Sequence, residues 1–121
     1  MIDRKALKQA YKETAPQAGI FQIKNIVNGK ICLGSSTNLH GPLNREKMML
    51  NLGSHRNPAL QADWKQYGEA NFEFGILEEF DTANKSRFEV DEELSLLEEI
   101  WLEKLQPFGE KGYNLNRKIR I

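Results

Sequence analysis

The sequence predicts an α+β domain in which a small three-stranded antiparallel sheet is flanked by helices. Two short apolar runs meet at Asn28–Gly29, which is the strongest short-range signal for a hairpin with a type I′ turn. Two short helical segments, a third strand and one long helical segment follow the hairpin. Because the first two strands are consecutive, this order excludes a doubly wound parallel sheet and favours an antiparallel sheet covered by helices.

Each element of the first half has its own local signal. Asp3 is a suitable N-cap, an apolar stripe at helical spacing follows it, and Pro16 ends that segment. Pro42 suits the first turn of the next helix, and Gly53 suits its end. The predicted elements are a helix over Arg4–Glu13, hairpin strands over Ala18–Val27 and Lys30–Ser35, and a helix over Pro42–Leu52.

The second half shows the same kinds of signal. Asn57 before Pro58 predicts another capped helix, and the alternation that starts at Phe72 predicts a strand. The predicted elements are a helix from Pro58 that stops at Gly68, a strand over Phe72–Leu77, an exposed loop over Asp81–Val90, and a helix over Glu92–Leu105 capped by Asp91 and ended by Pro107 and Gly109.

Length and composition indicate one small domain. A chain of 121 residues can bury a core of its own, and no repeat, low-complexity tract or linker divides it. We therefore expect a single domain over 1–121, with a core at 17–116 and an N-terminal helical extension at 1–16. No stretch approaches the roughly 18–20 apolar residues that span a bilayer, so no membrane partner is expected. The single cysteine, Cys32, favours a reducing, cytoplasmic location.

The net charge of zero hides a segregation of charge along the chain. Residues 77–99 contain nine acidic and two basic residues, so the remainder carries fifteen basic and eight acidic residues. An excess of basic residues on one surface is compatible with nucleic-acid binding. Charge alone is equally compatible with solvated helix surfaces and a polar tail.

A series of short motifs follows the hairpin in a defined order. The opening comprises Gly19-Ile20-Phe21-Gln22-Ile23-Lys24-Asn25, Asn28-Gly29-Lys30 and Gly34-Ser35-Ser36-Thr37-Asn38-Leu39. Downstream come Gly53-Ser54-His55-Arg56-Asn57, Leu60-Gln61, Trp64, Tyr67-Gly68, Phe72-Glu73-Phe74, Glu98, Trp101 and Gly112-Tyr113-Asn114. The ordered set resembles the GIY-YIG nuclease superfamily, in its homing-endonuclease-like branch.

That resemblance implies metal-dependent hydrolysis of nucleic-acid phosphodiesters. In the family, a helix glutamate binds one Mg²⁺ or Mn²⁺ ion, two signature tyrosines help to deprotonate water, and an arginine steadies the phosphate. A histidine and an asparagine support the site. The metal acts as a Lewis acid and template for the phosphoryl group.

Three residues of this chain match supporting positions of the family. Glu98 matches the metal-binding glutamate, Asn114 the late asparagine, and His55 a histidine found in many homing-type members. Taken without the family, each residue has an ordinary explanation. Glu98 would be a solvent-facing helix residue, Asn114 a turn residue beside Gly112, and His55 a loop residue that caps the helix after Asn57.

Four other positions depart from the family. Phe21 replaces the first signature tyrosine and Cys32 the second, so both phenol hydroxyls are missing. A strand cysteine is more often a small buried hydrophobe than a nucleophile. Pro42 stands where the phosphate-binding arginine belongs, and Glu46 where a histidine often stands. The resemblance therefore implies a catalytic scaffold with an altered catalytic set.

Arg45 offers one route to a rewired site. It lies three residues after Pro42 on the same predicted helix, and arginine is suited to bidentate phosphate contacts. Glu46 could then add a carboxylate beside a metal. An exposed helix arginine that only contacts solvent explains Arg45 equally simply.

Three functions follow from these residues. The first is a GIY-YIG-like domain with a degraded active site and little or no hydrolytic activity. Such a domain is expected to bind nucleic acid, and DNA in particular. The second is a divergent metal-dependent DNA endonuclease that uses Arg45, His55, Glu98 and Asn114. The third is a module that binds a protein partner through its acidic segment and long helix.

Overall fold

A computed structural model describes residues 16–115 of the chain, and its sheet confirms the predicted fold class. Three antiparallel strands are arranged in the order β2-β1-β3. The strands are β1 (Gln17–Asn25), β2 (Ile31–Ser36) and β3 (Phe72–Asp81), and the helices are α1 (Pro42–Leu52), α2 (Pro58–Tyr67) and α3 (Arg87–Leu105). The central strand β1 thus carries the hairpin on one side and β3 on the other.

The hairpin turn is longer than the predicted two-residue type I′ turn. The backbone N–H of Asn25 donates to the Lys30 carbonyl, and the N–H of Gly29 donates to the Asn25 carbonyl. A type I′ turn needs positive φ at both central residues, whereas in this turn only Gly29 has it, at 77°. The side-chain oxygen of Asn25 accepts the N–H of Val27, which stabilises the wider loop over residues 26–29.

The two faces of the sheet bury different helices. Alternation along β1 directs Ile23 to one face, where it packs with Leu50 of α1 and Trp64 of α2. Ile20 points to the other face and packs with Leu94 and other residues of α3. We call these surfaces the α1–α2 face and the α3 face. The sheet is therefore the middle layer between two separate hydrophobic clusters.

The predicted ends of α1 and α2 are confirmed. Pro42 begins α1, and Gly53 ends it with a left-handed backbone at φ 77°. The side chain of Asn57 accepts the N–H of Leu60 and so caps α2. In each case the stabilising contact lies within four residues of the capping residue.

The predicted loop over Asp81–Val90 is confirmed only over residues 82–86, and the predicted cap at Asp91 is wrong. Strand β3 continues to Asp81, because β1 pairs with it as far as Gln17. Helix α3 then begins at Arg87, since Ser86 and Glu89 form a reciprocal capping box. This first turn exposes Phe88 and lacks the apolar period that would have revealed it from sequence.

The last described residues return to the outer edge of β2. Gly112 bridges Ile31 in parallel, and the N–H of Tyr113 donates to the Ile31 carbonyl. A side chain at Gly112 would collide with backbone atoms, because an added Cβ would lie 2.2 Å from the Pro107 oxygen. The C-terminal segment thus covers part of an otherwise open strand edge.

Some sequence-based expectations concern residues outside the described part of the chain. These are the helix over Arg4–Glu13 with its cap at Asp3, and the charged C-terminal end beyond Leu115. Among the helices within residues 16–115, none has the length and apolar character needed to cross a membrane.

Candidate functional site

The α1–α2 face brings Glu46, His55 and Arg56 into contact. Glu46 is on α1, while the other two residues follow the turn at Gly53 and lie back against the helix. Nε2 of His55 lies 2.5 Å from Oε2 of Glu46, and Nη2 of Arg56 lies 2.7 Å from Oε1. Both carboxylate oxygens of Glu46 are therefore bound by protein groups.

The hydrogen bonds of His55 define which nitrogen carries its proton. Nδ1 accepts the backbone N–H of Asn57 at 3.0 Å, so this nitrogen is unprotonated. The proton of the neutral ring is on Nε2, which donates to Glu46. His55 thus links α1 to the loop before α2, and its side chain is only 2% exposed.

Cys32 borders this cluster from β2. Burial raises the pKa of its thiol to about 11, and the Glu46 carboxylate adds to that rise, whereas Arg56 opposes it. The thiol is protonated at neutral pH and is therefore a poor nucleophile. Its side chain packs against the cluster that contains Ile23 and Trp64.

Phe21 lies on the same face and packs over Gly34, its partner across the hairpin. A Cβ added to Gly34 would lie 2.4 Å from Cζ of the Phe21 ring, so the ring occupies the space that the glycine leaves. Phe21 is 4% exposed. The residue that the sequence motifs match to the first signature tyrosine is thus a buried ring without a hydroxyl.

Pro42 and Arg45 have different surroundings on α1. Pro42 is buried at the first position of the helix, whereas Arg45 is exposed. Arg56 is the arginine that contacts Glu46. Its side chain is 70% exposed, so only the end of the guanidinium reaches the carboxylate. The use of Arg45 in catalysis stays a prediction.

Glu98 lies on the other side of the sheet. Its Oε2 accepts the hydroxyl of Ser35 at 2.7 Å, and it is half-buried on α3. Ser35 and Cys32 differ by an odd number of positions on β2, so their side chains point to opposite faces. Glu98 is therefore separated by the sheet from Glu46.

Asn114 forms a pair of hydrogen bonds with the backbone of β2. Its Oδ1 accepts the N–H of Leu33 at 2.8 Å, and its Nδ2 donates to the Leu33 carbonyl at 2.9 Å. Asn114 thus satisfies the outer edge of the strand that carries both Cys32 and Ser35. This bonding is structural, and it uses both polar atoms of the amide.

A network of polar side chains includes Asn25 at the end of β1. Tyr113 donates its hydroxyl hydrogen to Asp63 at 2.7 Å and accepts from the amide of Asn25 at 3.1 Å. Burial raises the pKa of this phenol well above its usual range, and the Asp63 acceptor raises it further. The network joins α2, the hairpin and the C-terminal segment.

The structure brings together some of the predicted site residues and separates others. Cys32, Glu46 and His55 share one cluster, while Glu98 and Asn114 have separate partners. Sequence reasoning assigned no role to Arg56 or Ser35. Both lie within motifs that carry the family resemblance, but their partners are ten and 63 positions away, so no local pattern reveals the contacts.

The described residues offer few ligands for a metal ion. Within residues 16–115, no group of three or more histidine, cysteine, aspartate or glutamate side chains is arranged to hold one. Glu98 supplies a single carboxylate beside the Ser35 hydroxyl. Mg²⁺ often uses one or two carboxylates and completes its shell with water and phosphate oxygens. The donor set therefore fits Mg²⁺ or Mn²⁺ only where water and a phosphate supply the other ligands.

No family model and no curated protein matches the chain. Among solved structures, it is similar to the catalytic domain of the homing endonuclease I-TevI, with 29% identity and a TM-score of 0.66 over 82% of this chain and 98% of that one. A mutant of the catalytic domain of the intron endonuclease I-TevI matches with 28% identity and a TM-score of 0.65, over 81% and 92% of the two chains. The chain has a GIY-YIG-like fold.

This likeness covers about four fifths of the chain. It supports a nuclease-like domain. The alteration of the signature at Phe21, Cys32, Pro42 and Glu46 stays a prediction from the sequence motifs.

Proposed function

We propose that this GIY-YIG-like domain binds nucleic acid, DNA in the first instance, and has little or no phosphodiester hydrolase activity. The observation that carries the low hydrolase activity is the buried Glu46 carboxylate, which binds His55 and Arg56. A carboxylate in that place neutralises Arg56 and repels phosphate. These contacts stabilise the junction between α1 and the loop before α2. The negative charge of Glu46 also opposes the approach of a phosphodiester.

The groups around this cluster also lack the means to activate water. Phe21 has no hydroxyl, and the Cys32 thiol keeps its proton because its pKa is raised to about 11. The single proton on His55 is donated to Glu46. Loss of one charge-stabilising donor costs about 10²–10³ in rate, so several altered groups leave little activity.

Glu98 is the residue that would hold a divalent metal. A metal bound there supplies Lewis acidity toward a phosphoryl oxygen. Ser35 donates to the Glu98 carboxylate and so orients it on α3. Because this chain contributes one carboxylate, we propose that metal affinity is weak without nucleic acid and rises when phosphate oxygens are present.

Charge distribution supports binding rather than catalysis. Outside residues 77–99 the chain has fifteen basic and eight acidic residues, which is an excess of seven positive charges. Phosphate contacts by such residues release counterions, so affinity falls steeply as salt increases. We propose that binding depends on structure or on a partner more than on base sequence.

The first test measures cleavage of supercoiled and branched DNA with Mg²⁺ or Mn²⁺. We expect no cleavage by the natural chain and none by Glu98→Ala. Cleavage by the natural chain that Glu98→Ala abolishes would contradict the proposal and support a divergent endonuclease. The Arg45→Ala variant would then show whether Arg45 stabilises the phosphate.

The second test measures DNA binding between about 20 and 200 mM salt. We expect weak binding whose logarithm falls linearly with the logarithm of salt concentration. Absence of binding at the lowest salt would contradict the proposal and favour a protein-binding module. A matched branched and linear DNA of equal length would show whether structure contributes to affinity.

A further inference from the structure

The exposed side of α1 has no carboxylate. Glu46 is the single acidic residue of this helix, and it is buried on the same side as Leu50, which belongs to the hydrophobic cluster under the helix. We define the outer face of α1 by its exposed residues, which are Asn44, Arg45, Lys47, Met48, Asn51 and Leu52. A polyanion that approaches this face therefore meets no negative side chain of α1.

Two cations lie at opposite ends of the outer face. Arg45 is exposed in the first half of α1, and it forms no ion pair with another residue of the described range 16–115. Lys65 of α2 is exposed and likewise has no carboxylate partner among these residues. Its Nζ would lie 3.7 Å from a Cβ added to Gly53, which places the ammonium group at the C-terminal end of α1. Lys47 differs from both cations, because it pairs with Glu69 at 3.3 Å.

The spacing of Arg45 and Lys65 fits a nucleic-acid strand. Arg45 and Gly53 are separated by about 12 Å along the helix axis. One DNA strand advances about 3.4 Å per nucleotide along the duplex axis, so this separation corresponds to three to four nucleotides. Met48 is 57% exposed and Leu52 is 73% exposed, and the two form one row between the cations. The outer face thus offers apolar contacts between two positions that can bind phosphate.

The exposed side of α3 has the opposite charge. Its exposed cations are Arg87 and Lys104. Its exposed acidic residues are Glu89, Asp91, Glu92, Glu99 and Glu103. Because α3 also exposes Leu96 and Ile100, exposed apolar surface does not distinguish the two helices, whereas charge does. A polyanion is attracted to the outer face of α1 and repelled by the exposed side of α3.

We propose that nucleic acid binds along the outer face of α1, where Arg45 and Lys65 contact phosphates and Met48 and Leu52 contact the sugars between them. This inference rests on the proposed function and names the surface that performs it. Positions 46 and 48 are about 200° apart around the helix, so the bound phosphates lie on the opposite side of α1 from Glu46. Binding at this surface therefore does not require the altered cluster of Cys32, Glu46 and His55.

Fluorescence anisotropy of the full chain with a labelled DNA duplex, in EDTA, tests the two phosphate contacts. Arg45→Gln/Lys65→Gln should bind at least 10-fold more weakly than the natural chain. Its slope of log affinity against log salt should be smaller by about 1.8, because each lost phosphate contact removes about 0.9. The matched control Arg87→Gln/Lys104→Gln removes the same charge from α3 and should leave the slope unchanged. Equal losses in the two double variants would overturn the proposal, because net charge alone would then explain the binding.

A second pair of variants tests the apolar contact. Leu52→Glu and Leu96→Glu each replace an exposed leucine and add one negative charge, the first on α1 and the second on α3. Leu52→Glu should weaken DNA binding several-fold more than Leu96→Glu does. Equal affinities of the two variants would overturn the proposal. Denaturant titration of all variants shows whether a loss of binding reflects a loss of folding.

Hydrogen exchange of the natural chain, read by mass spectrometry, gives a measurement that needs no substitution. Addition of DNA should slow the exchange of amides in α1 and leave those of α3 unchanged. Slower exchange in α3 with no change in α1 would overturn the proposal.

The outcomes distinguish this surface from the proposed function. If the natural chain binds DNA and the matched variants lose affinity equally, the surface is wrong and the proposed function stands. If the natural chain binds no DNA at the lowest salt, both are wrong. Polyglutamate that binds more tightly than DNA, and is released by Arg45→Gln/Lys65→Gln, would assign the outer face to an acidic protein and overturn the proposal.

Discussion

Glu46 and Glu98 are two carboxylates on opposite faces of one sheet, and their surroundings differ. Glu46 is 7% exposed in its side chain and is bound by His55 and Arg56. Glu98 is half-buried and accepts the hydroxyl of Ser35. Protein groups engage both oxygens of Glu46, whereas Glu98 is bound by a neutral hydroxyl. The comparison indicates that Glu46 stabilises the fold, whereas metal binding by Glu98 stays a prediction.

The difference arises from where each carboxylate lies along its helix. Glu46 is in the middle of the short helix α1, and the turn at Gly53 brings His55 back onto it. Glu98 is in the second half of α3 and faces β2. A chain reversal can surround one carboxylate with local partners, whereas a carboxylate within a long helix meets only what the neighbouring strand presents.

The largest loss of stability is expected when the outer edge of β2 is left unpaired, because this strand carries both Cys32 near Glu46 and Ser35 beside Glu98. Asn114→Ala removes two hydrogen bonds to Leu33 and leaves a strand edge unpaired, so the free energy of unfolding should fall by about 2–3 kcal/mol. Denaturant titration measures it. Asn114→Asp keeps the acceptor for the Leu33 N–H but loses the donor, and its loss should be similar. A loss below about 0.5 kcal/mol for both variants would show that the edge is held by other contacts.

The second-largest loss of stability is expected at Glu46, whose two carboxylate oxygens are both bound by protein groups. Glu46→Gln should lower the free energy of unfolding by about 1–3 kcal/mol, because it weakens hydrogen bonds to a charged acceptor. The exposed stem of Arg56 lets its guanidinium return to solvent, so the loss should be below that of breaking a fully buried pair. Thermal melts at equal pH measure it. An unchanged melting temperature would remove the distinction between Glu46 and Glu98.

The third effect concerns Glu98, which is less buried than Glu46. Glu98→Gln should change the free energy of unfolding by less than about 1 kcal/mol, since an amide oxygen can still accept from Ser35. It should nevertheless weaken Mn²⁺ binding in the presence of DNA, measured by the relaxation of water protons. If Glu46→Gln weakens Mn²⁺ binding and Glu98→Gln does not, the roles of the two residues are reversed.

The smallest stability effect at neutral pH is expected at Cys32, which borders Glu46 and contributes to a loss of stability only at alkaline pH. Its pKa rises from about 9 to about 11 on folding, so the stability that it contributes is present below pH 9 and is lost between pH 9 and 11. Near pH 8.5 the thiol should react with iodoacetamide about 100-fold more slowly in the folded chain than in urea. Equal rates would place the thiol in solvent. Cys32→Ala should remove its share of the alkaline destabilisation, while Tyr113 contributes in the same direction.

Local signals predicted much of the fold. Pro42 with Gly53, and Asn57 with Gly68, define the ends of two helices because capping groups act within about one turn. The same reasoning failed at α3, where Ser86 caps a first turn without an apolar period. It also failed at the hairpin, since Asn25 stabilises a wider turn that competes with the Asn28–Gly29 pattern.

The contacts of the candidate site could not be predicted in the same way. The sequence identified Glu46, His55 and Asn114 as residues of interest, but not what they bind. Asn114 pairs with Leu33 over 81 positions. Arg56 reaches Glu46 across a helix end, and the exposed Arg45 beside it looks equally suitable from sequence.

The sequence by itself determined the fold class and the order of the elements within residues 16–115, and it matched Phe21 and Cys32, which have no phenol hydroxyl, to the two signature positions. These depend on residue identity and on interactions within a few positions of the chain. Only the tertiary structure decided that both carboxylate oxygens of Glu46 are bound by its neighbours and that Glu98 faces Ser35. The physical reason is that the hydrogen-bond partners of a carboxylate depend on which residues, distant in the sequence, the fold brings next to it.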